Sequence, residues 1–267
     1  MAHATHSWDP QTYLAFGDDR SRPFFDLLAQ VGAESPEYVV DLGCGPGNLT
    51  STLCERWQAA HVHGVDASAE MVARADETRS QHSEGTRDRL SFEVADLREW
   101  RPPRPVDVLV SNATLQWVPD HLALLADLAG RLRPGGWLAF QVPGNFGGPS
   151  HRLLADLARD TRFAAYTGDV DWPASHDPEA YLTRLHELGT RAQAWETTYL
   201  HVLEGSDPVM RWMSGTGARP VLQALPPRLR AEFEEEYAAA LREAYPVGAV
   251  GTVLSFRRIF AVAQAPA

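Results

Sequence analysis

The sequence predicts an α/β fold with a mostly parallel sheet, and two observations support this. Strand-like apolar runs alternate with helix-like segments over residues 38–142, which is the signature of βαβ units. The first strand also leads through a glycine-rich turn into a helix, an arrangement typical of a nucleotide-type cofactor site. The 267 residues suit one α/β domain with an elaboration, so we expect residues 1–267 to form a single domain.

Five strands and the helices between them make up the first part of the chain. The run at residues 106–110 is almost wholly apolar, which is typical of a buried parallel strand. A polar segment at residues 80–89 is expected to form a surface loop. The predicted strands cover residues 38–40, 61–66, 92–96, 106–110 and 137–142, and the predicted helices cover residues 49–57, 67–75 and 119–133.

The alternation stops at Pro143, after which glycine, proline and aromatic residues become frequent. Two late strands, separated by a helical insertion, bring the predicted number of strands to seven. The late helices are predicted over residues 151–159, 177–189 and 206–245, and the late strands over residues 192–202 and 253–262. We expect a core over approximately residues 36–143, 177–203 and 251–264, a cap over approximately residues 144–176 and 204–250, and an N-terminal lid over residues 8–30.

The composition excludes several classes of function. A net charge of −11 and a pI of about 5.3 argue against nucleic acid or an anionic membrane as the main partner. All 24 basic residues are arginine, so no lysine is available for a phosphate-binding P-loop or a Schiff base. Cys44 and Cys54 give neither a disulfide framework nor a zinc spacing, so we expect no metal. The polar start and the lack of an apolar run of membrane length predict a cytoplasmic protein.

Three glycines at alternate positions, Gly43, Gly45 and Gly47, connect the first strand to the first helix. A dinucleotide-binding fingerprint would need its third glycine at the next position, which is occupied by Asn48. Asp41 stands two residues before the first glycine, where a carboxylate suits a cationic amino-acid moiety better than a phosphate. The segment therefore resembles motif I of the S-adenosylmethionine-dependent methyltransferases of the Rossmann-like class.

Two further acids stand at the ends of the second and third strands. Asp66 lies at the distance from the loop that is typical of an acid binding both ribose hydroxyls. It is also compatible with a helix N-cap, although Ser68 is the better cap candidate. Asp96 is either a turn residue or, as the resemblance implies, a contact of the adenine amino group. The predicted cofactor-binding residues are Asp41, Gly43, Gly45, Gly47, Asn48, Asp66, Ala67, Asp96, Leu97 and Asn112.

Several segments outside these motifs share one pattern. They are Trp8-Asp9-Pro10, Tyr13-Leu14-Ala15-Phe16, Arg20-Ser21-Arg22-Pro23, Asn112-Ala113-Thr114-Leu115-Gln116-Trp117-Val118-Pro119-Asp120-His121, Pro143-Gly144-Asn145-Phe146, Trp195-Glu196-Thr197-Thr198-Tyr199 and Phe256-Arg257-Arg258-Ile259-Phe260. From about Trp8 to its end, the chain resembles the trans-aconitate 2-methyltransferases. It departs from that family in a longer loop at residues 80–89 and a short N-terminal extension, both away from the proposed substrate groups.

This resemblance implies both a fold and a reaction. The implied fold is a Rossmann-like seven-stranded methyltransferase sheet, with its last strand antiparallel and with a helical cap. The implied cofactor is S-adenosyl-L-methionine, which leaves as S-adenosyl-L-homocysteine. The implied reaction forms a monomethyl ester of trans-aconitate or of a related small polycarboxylic acid.

Methyl transfer to a carboxylate also suits the residues that the chain provides. A carboxylate has a reference pKa of about 4, so it is ionised at neutral pH and needs no general base. The carboxylates that do not react must be held, and the guanidinium fork of arginine suits that task. The candidate substrate-binding residues are Arg20, Arg22, Arg219, Arg257 and Arg258. Arg257 and Arg258 are also compatible with a salt bridge to a nearby acid, and Arg20 and Arg22 with an exposed helix start.

Three further residues are candidates for positions near the reacting groups. Trp117 follows the fourth strand and can offer a π face to the sulfonium, or it can pack in the core. His121 and Tyr199 are also candidates, although a histidine at a helix start and a tyrosine in a strand are more often structural.

Two other functions stay open at this point. Another small-molecule O-methyltransferase of the same fold is disfavoured only by the resemblance on the substrate side. A non-catalytic regulatory protein that binds S-adenosylmethionine would keep the same glycine turn, although the intact turn and the predicted cap favour an enzyme. The expected partner is a small polycarboxylate, and the sequence makes no prediction of the oligomeric state.

Overall fold

The longer strands and the helices between them follow one another in the predicted order, and several shorter elements are added to them. The structure, a computed structural model, describes the backbone of residues 17–267 and the side chains from Ser21, so residues 8–16 of the predicted lid lie outside the described residues. Within this part of the chain the strands are β1 (Tyr38–Leu42), β2 (His61–Asp66), β3 (Leu90–Val94), β4 (Val106–Asn112), β5 (Leu132–Pro143), β6 (Arg191–Leu203), β7 (Val247–Gly248) and β8 (Gly251–Gln264). The helices are α1 (Gly17–Leu28), α2 (Asn48–Arg56), α3 (Ala69–Ser80), α4 (Glu84–Arg87), α5 (His121–Gly130), α6 (Pro149–Ala158), α7 (Ala164–Thr167), α8 (Pro178–Glu187), α9 (Pro208–Ser214), α10 (Arg219–Ala224) and α11 (Pro227–Ala244), with a 3-10 turn at Leu115–Trp117.

The strands form one mixed sheet in the order β3-β2-β1-β4-β5-β8-β6, and the short β7 pairs with β8. The first five strands pair in parallel, so their carboxyl ends meet at the same end of the sheet. Together with one antiparallel strand, this arrangement confirms the predicted fold class. The carboxyl ends of such strands are where α/β sheets bind their ligands.

β1 and β4 are the most deeply buried strands of the sheet. Every residue of β1 is buried, and β4 is buried from Val106 to Ser111. Leu109, Leu138 and Phe140 are fully buried members of one hydrophobic core. Burial on both faces explains why these strands are almost continuously apolar. The turns that follow β1 and β4 therefore start from a rigid backbone.

The chain divides into two compact units. The sheet unit comprises residues 17–142 with His176–Glu196 and Ile259–Ala267, and the helical unit comprises Pro143–Ser175 and Thr197–Arg258. In the helical unit, Phe233, Tyr237 and Leu241 form a buried stripe along α11. The predicted division into core, cap and lid stays a prediction. Within residues 17–267, none of the helices is long and apolar enough to cross a membrane.

Several boundaries in the sheet unit differ from the sequence prediction, and two of them concern Asp96 and the start of β5. β3 ends at Val94, two residues before Asp96. The helix expected over residues 119–133 is shorter, because Leu132 already pairs with β4. Gly136 lies so close to β4 that a Cβ there would be 2.9 Å from a carbonyl oxygen. Pro134-Gly135-Gly136, which follows the predicted helix, is therefore part of β5.

The stretch predicted as helical over residues 206–245 contains three separate helices. Leu225 is extended because the ring of Pro226 disfavours a helical conformation in the preceding residue, and α11 begins at Pro227. Among the short helices and strands, the sequence also does not predict α4, within the loop expected at residues 80–89, or α7 and β7, both within the expected cap.

Candidate active site

The turn after β1 contains three glycines in the left-handed conformation. Gly43, Gly45 and Gly47 have φ angles of 78°, 54° and 76°, which glycine adopts without strain. A Cβ on Gly43 would lie 2.0 Å from Thr114 Oγ1, and a Cβ on Gly47 would lie 2.7 Å from Phe92 Cζ. A Cβ on Gly45 would have no atom of the described residues within 4 Å. Gly43 and Gly47 thus permit close packing, whereas Gly45 leaves space in which a ligand can contact the backbone.

Asp66, at the end of β2, is hydrogen-bonded to this turn. Its Oδ2 accepts from the N–H of Gly45 at 2.9 Å, and its Oδ1 accepts from the N–H of Ser68 at 2.9 Å. Burial raises the pKa of Asp66, and the two backbone hydrogen bonds oppose that rise. Ser68 caps α3 as predicted, because its Oγ accepts from the N–H of Met71 at 3.3 Å. Each oxygen of Asp66 retains a second lone pair, so the carboxylate can accept two hydroxyl groups.

Asp41 lies within β1 with 3% of its surface exposed. Its Oδ2 accepts a hydrogen bond from Thr50 Oγ1 at 2.6 Å, which joins β1 to α2 just beyond Asn48. Burial raises the pKa of Asp41 to about 7; the Thr50 hydrogen bond lowers the pKa and the charge of Asp66 raises it. A buried carboxyl that is only partly ionised at neutral pH would be stabilised in its charged form by a cationic ligand.

A second turn follows β4 and packs on the glycine turn. Thr114 Oγ1 donates to the carbonyl oxygen of Gly43 at 3.3 Å, and Ala113 adopts a left-handed φ of 54°. The N–H of Ala113 donates to the carbonyl oxygen of Gln141 at 2.9 Å. Asn112 ends β4, and its Oδ1 is buried without a hydrogen-bond partner among the described residues. This turn therefore places an unpaired acceptor close to the glycine turn.

The remaining predicted cofactor-binding residues follow β2 and β3. Ala67 is exposed beside Asp66. Asp96 forms an ion pair with Arg98, whose Nε lies 3.0 Å from each oxygen of the carboxylate. Leu97 is buried in the hydrophobic core of the sheet unit. All of the predicted cofactor-binding residues thus belong to the sheet unit.

Two of the three candidate catalytic residues also lie in the sheet unit. His121 is buried, with Nε2 2.6 Å from Tyr181 Oη and Nδ1 3.2 Å from the carbonyl oxygen of Val118. Burial lowers the pKa of His121, so its ring is neutral at physiological pH. Trp117 ends the 3-10 turn after β4 and is half-buried. Tyr199 is buried in the helical unit.

Three candidate arginines lie in the helical unit. Arg258 is 5% exposed, and its guanidinium carbon lies 4.3 Å from the ring centroid of Phe256. Arg219 begins α10 and is 8% exposed. Arg257 is half-buried and donates from its guanidinium to the carbonyl oxygen of Gly144 at 3.2 Å. The helical unit therefore buries two guanidinium groups almost completely.

The two other candidate arginines lie on α1. The side chain of Arg22 is 73% exposed, and its Nε lies 3.6 Å from Asp26 Oδ2, one helical turn away. The side chain of Arg20 lies outside the described ones. An exposed pair of this kind contributes little to stability.

Two threonines support the site, and the sequence does not identify them. Thr50 binds Asp41 across nine residues, and Thr114 binds Gly43 across 71 residues. No local sequence pattern indicates which distant residue a threonine hydroxyl will bind. The position of Thr50 in the first turn of α2 is the single available signal.

Comparison with known proteins agrees with this geometry. The chain matches the family model of a methyltransferase domain over residues 16–193. It is 50% identical over 268 residues to a protein of Streptomyces avermitilis named trans-aconitate 2-methyltransferase, with 99% of each chain covered. A protein of the same name from Streptomyces coelicolor is 48% identical, with 100% of this chain and 89% of that protein covered. The fold is shared with a solved structure, phosphoethanolamine N-methyltransferase 2 of Haemonchus contortus in complex with S-adenosyl-L-methionine. The two chains are 18% identical, with a TM-score of 0.56, and the match covers 96% of this chain and 56% of that chain.

The glycine turn predicts different outcomes for two alanine substitutions. Gly45→Ala should fold, at a cost of about 1–2 kcal/mol for a left-handed alanine. Its methyl group would enter the open space, so the Kd for S-adenosylhomocysteine should rise at least about tenfold. Gly43→Ala should prevent folding, because the methyl group would overlap the Thr114 side chain. Calorimetry and thermal melting check both outcomes, and unchanged binding by Gly45→Ala would contradict this account of the turn.

The raised pKa of Asp41 predicts a pH-dependent stability. Between about pH 4 and pH 7 the folded protein holds a proton on Asp41 that the unfolded chain releases, so this residue's contribution to stability falls as the pH rises through that window. Asp41→Asn keeps an acceptor for Thr50 and cannot ionise. The variant should melt at a higher temperature than the wild type at about pH 8, with little difference at about pH 4. Melting curves that differ equally at both pH values would refute the expected titration.

Proposed function

The chain belongs to the trans-aconitate 2-methyltransferase family, and from this membership we propose that it forms a monomethyl ester of trans-aconitate or of a related small polycarboxylic acid. S-adenosylmethionine, the cofactor of this enzyme class, supplies when bound an electrophilic methyl group that a carboxylate oxygen can attack. The observation that carries the proposal is the glycine turn, in which Gly45 leaves open space while Asp66 holds its backbone N–H.

The residues around the turn fit this cofactor. The free lone pairs of Asp66 suit the hydroxyls of a ribose. The buried carboxyl of Asp41 suits a cation and would repel a pyrophosphate. Asn112 Oδ1, buried and unpaired among the described residues, suits a donor such as an ammonium group. Asp96 remains the proposed contact of the adenine amino group.

The proposed reaction depends on alignment more than on proton transfer. The attacking carboxylate is ionised well below neutral pH, so the chain has to hold the two reactants in line and exclude water. Both ring nitrogens of His121 are engaged by Tyr181 and Val118, which accords with a reaction that needs no general base. We assign Trp117, His121 and Tyr199 to the shape of the methyl-transfer site.

Arginine side chains are the proposed ligands of the carboxylates that do not react. Arg219 and Arg258 are both buried in the helical unit, and a buried guanidinium favours an anionic partner. Arg257, half-buried, and the α1 residues Arg20 and Arg22 complete the proposed set. The division into a core, a helical cap and an N-terminal lid, and a location in the cytoplasm, remain part of the same proposal.

Incubation with S-adenosylmethionine labelled in its methyl group and a panel of acceptors tests the proposed reaction. We expect a base-labile methyl ester of trans-aconitate and little transfer to monocarboxylic acids or phenols. At saturating cofactor, the rate should be flat from about pH 6 upward, because the nucleophile is already ionised. Efficient transfer to phenols or amines without transfer to polycarboxylates would indicate another methyltransferase. Cofactor binding without transfer to any acceptor would indicate a non-catalytic protein.

Arg258→Lys tests the proposed substrate contact. A lysine ammonium cannot replace the planar fork, so kcat/KM for trans-aconitate should fall at least about tenfold. The rate with a monocarboxylic analogue should change little. Arg159→Lys is a matched control, because Arg159 is 74% exposed and pairs with Asp156 at 3.0 Å. An equal loss of rate with both acids, together with a lower melting temperature, would assign Arg258 a structural role.

A further inference from the structure

Gln116, in the 3-10 turn after β4, is 5% exposed and carries no role in the function proposed above. Its Nε2 donates to the carbonyl oxygen of Ala113 at 2.6 Å. Ala113 is one of few residues other than glycine with a positive φ in the described chain, and this conformation costs an alanine about 1–2 kcal/mol. The Gln116 hydrogen bond therefore helps to hold a strained turn.

The same hydrogen bond fixes which way the Gln116 amide points. If the amide were flipped, its carbonyl oxygen would face the carbonyl oxygen of Ala113, and two acceptors would repel each other. The oriented Oε1 is buried, and no donor among the described residues lies within hydrogen-bond distance of it. A buried acceptor without a donor is unfavourable, so a polar partner at this position has a physical reason to bind.

Gln116 Oε1 belongs to the turn after β4, which packs on the glycine turn. Thr114 Oγ1 donates to the carbonyl oxygen of Gly43 at 3.3 Å, and the Thr114 side chain fills the space where a Cβ on Gly43 would be. Ser111 Oγ donates to the carbonyl oxygen of Leu42 at 2.8 Å, which joins β4 to β1 immediately before both turns. Asn112, the last residue of β4, has a second buried acceptor, Oδ1, without a partner among the described residues.

We propose that Gln116 binds the α-ammonium group of S-adenosylmethionine through Oε1, while its amide N–H keeps Ala113 in the left-handed conformation. The inference rests on the proposed function, because it takes the cofactor from there. Of the groups at the amino-acid end of that cofactor, the sulfonium and the carboxylate have no hydrogen to donate, whereas the ammonium has three. Gln116 is thus both a cofactor-binding residue and the residue that positions the turn.

Two ligands separate these roles from a general effect on folding. S-adenosylhomocysteine carries the ammonium group, and 5′-methylthioadenosine is the matching thioether without the amino-acid part. Gln116→Met removes both polar atoms and nearly keeps the volume. Its Kd for S-adenosylhomocysteine should rise at least about tenfold, the loss expected for one hydrogen bond to a charged group, while the Kd for 5′-methylthioadenosine stays within about twofold of the wild type.

Gln264→Met is the matched control. Gln264 is also in the sheet unit, and its Nε2 donates at 3.2 Å to the carbonyl oxygen of Gly135, which is also left-handed. This variant loses the same kind of hydrogen bond outside the two turns, so its affinity for both ligands should match the wild type. A Gln116→Met variant that binds both ligands equally weakly, or S-adenosylhomocysteine as tightly as the wild type, would overturn the proposal.

A second measurement does not depend on the folding of Gln116→Met. In the 15N-labelled wild type, the side-chain amide signals of Gln116, assigned by their loss in Gln116→Glu, should shift with S-adenosylhomocysteine and stay in place with 5′-methylthioadenosine. Equal shifts with both ligands would overturn the assignment of the ammonium contact. If the wild type binds neither ligand, the proposed function fails. If the wild type binds both ligands but the binding does not depend on Gln116, only the inference about Gln116 fails.

Discussion

The hydrogen bonds of Asp66 are the interaction on which the proposed site most depends. One oxygen binds the N–H of Gly45 and the other binds the N–H of Ser68, so a single carboxylate connects the turn after β1 to the start of α3 after β2. Burial raises the pKa of Asp66, and these two hydrogen bonds oppose that rise because they stabilise the ionised carboxylate. The hydrogen bond from Gly45 also helps to fix the backbone beside the open space.

Close approach between backbone segments imposes the second constraint. Gly43 and Thr114 are so near that no side chain fits on the glycine, and the hydrogen bond between them joins the turns after β1 and β4. Left-handed residues occur in both turns, at three glycines and at Ala113. Strain of this kind persists where surrounding contacts over-determine it, and it is common at ligand sites. The buried core beneath β1 and β4 provides that support.

The sequence predicts those parts of the fold in which local pattern and final environment agree. Apolar runs locate β1 and β4, because parallel strands that are buried on both faces need apolar side chains on both faces. Glycine spacing and the acid at Asp41 locate the glycine turn, because only glycine adopts the three left-handed conformations without strain. Ser68 is recognisable as a helix cap from its position alone.

The features that the sequence does not reveal depend on partners far along the chain. The extent of β5 follows from the pairing of Leu132 with Val106, which no local pattern encodes. His121 is hydrogen-bonded to Tyr181, which lies 60 residues later, so a local motif cannot predict this buried contact. Gln116 is different, because its partner Ala113 is only three residues away; an alanine gives no sign in the sequence that it adopts a left-handed conformation. The first two features are tertiary constraints.

We propose that the glycine turn, with two acids beside it, binds a cationic amino-acid moiety and not a pyrophosphate. Isothermal titration of the protein with S-adenosylhomocysteine and, separately, with NAD distinguishes these ligands. We expect stoichiometric binding of S-adenosylhomocysteine and no measurable binding of NAD, because Asp41 and Asp66 would repel the phosphates. Binding of NAD together with no binding of S-adenosylhomocysteine would contradict this proposal.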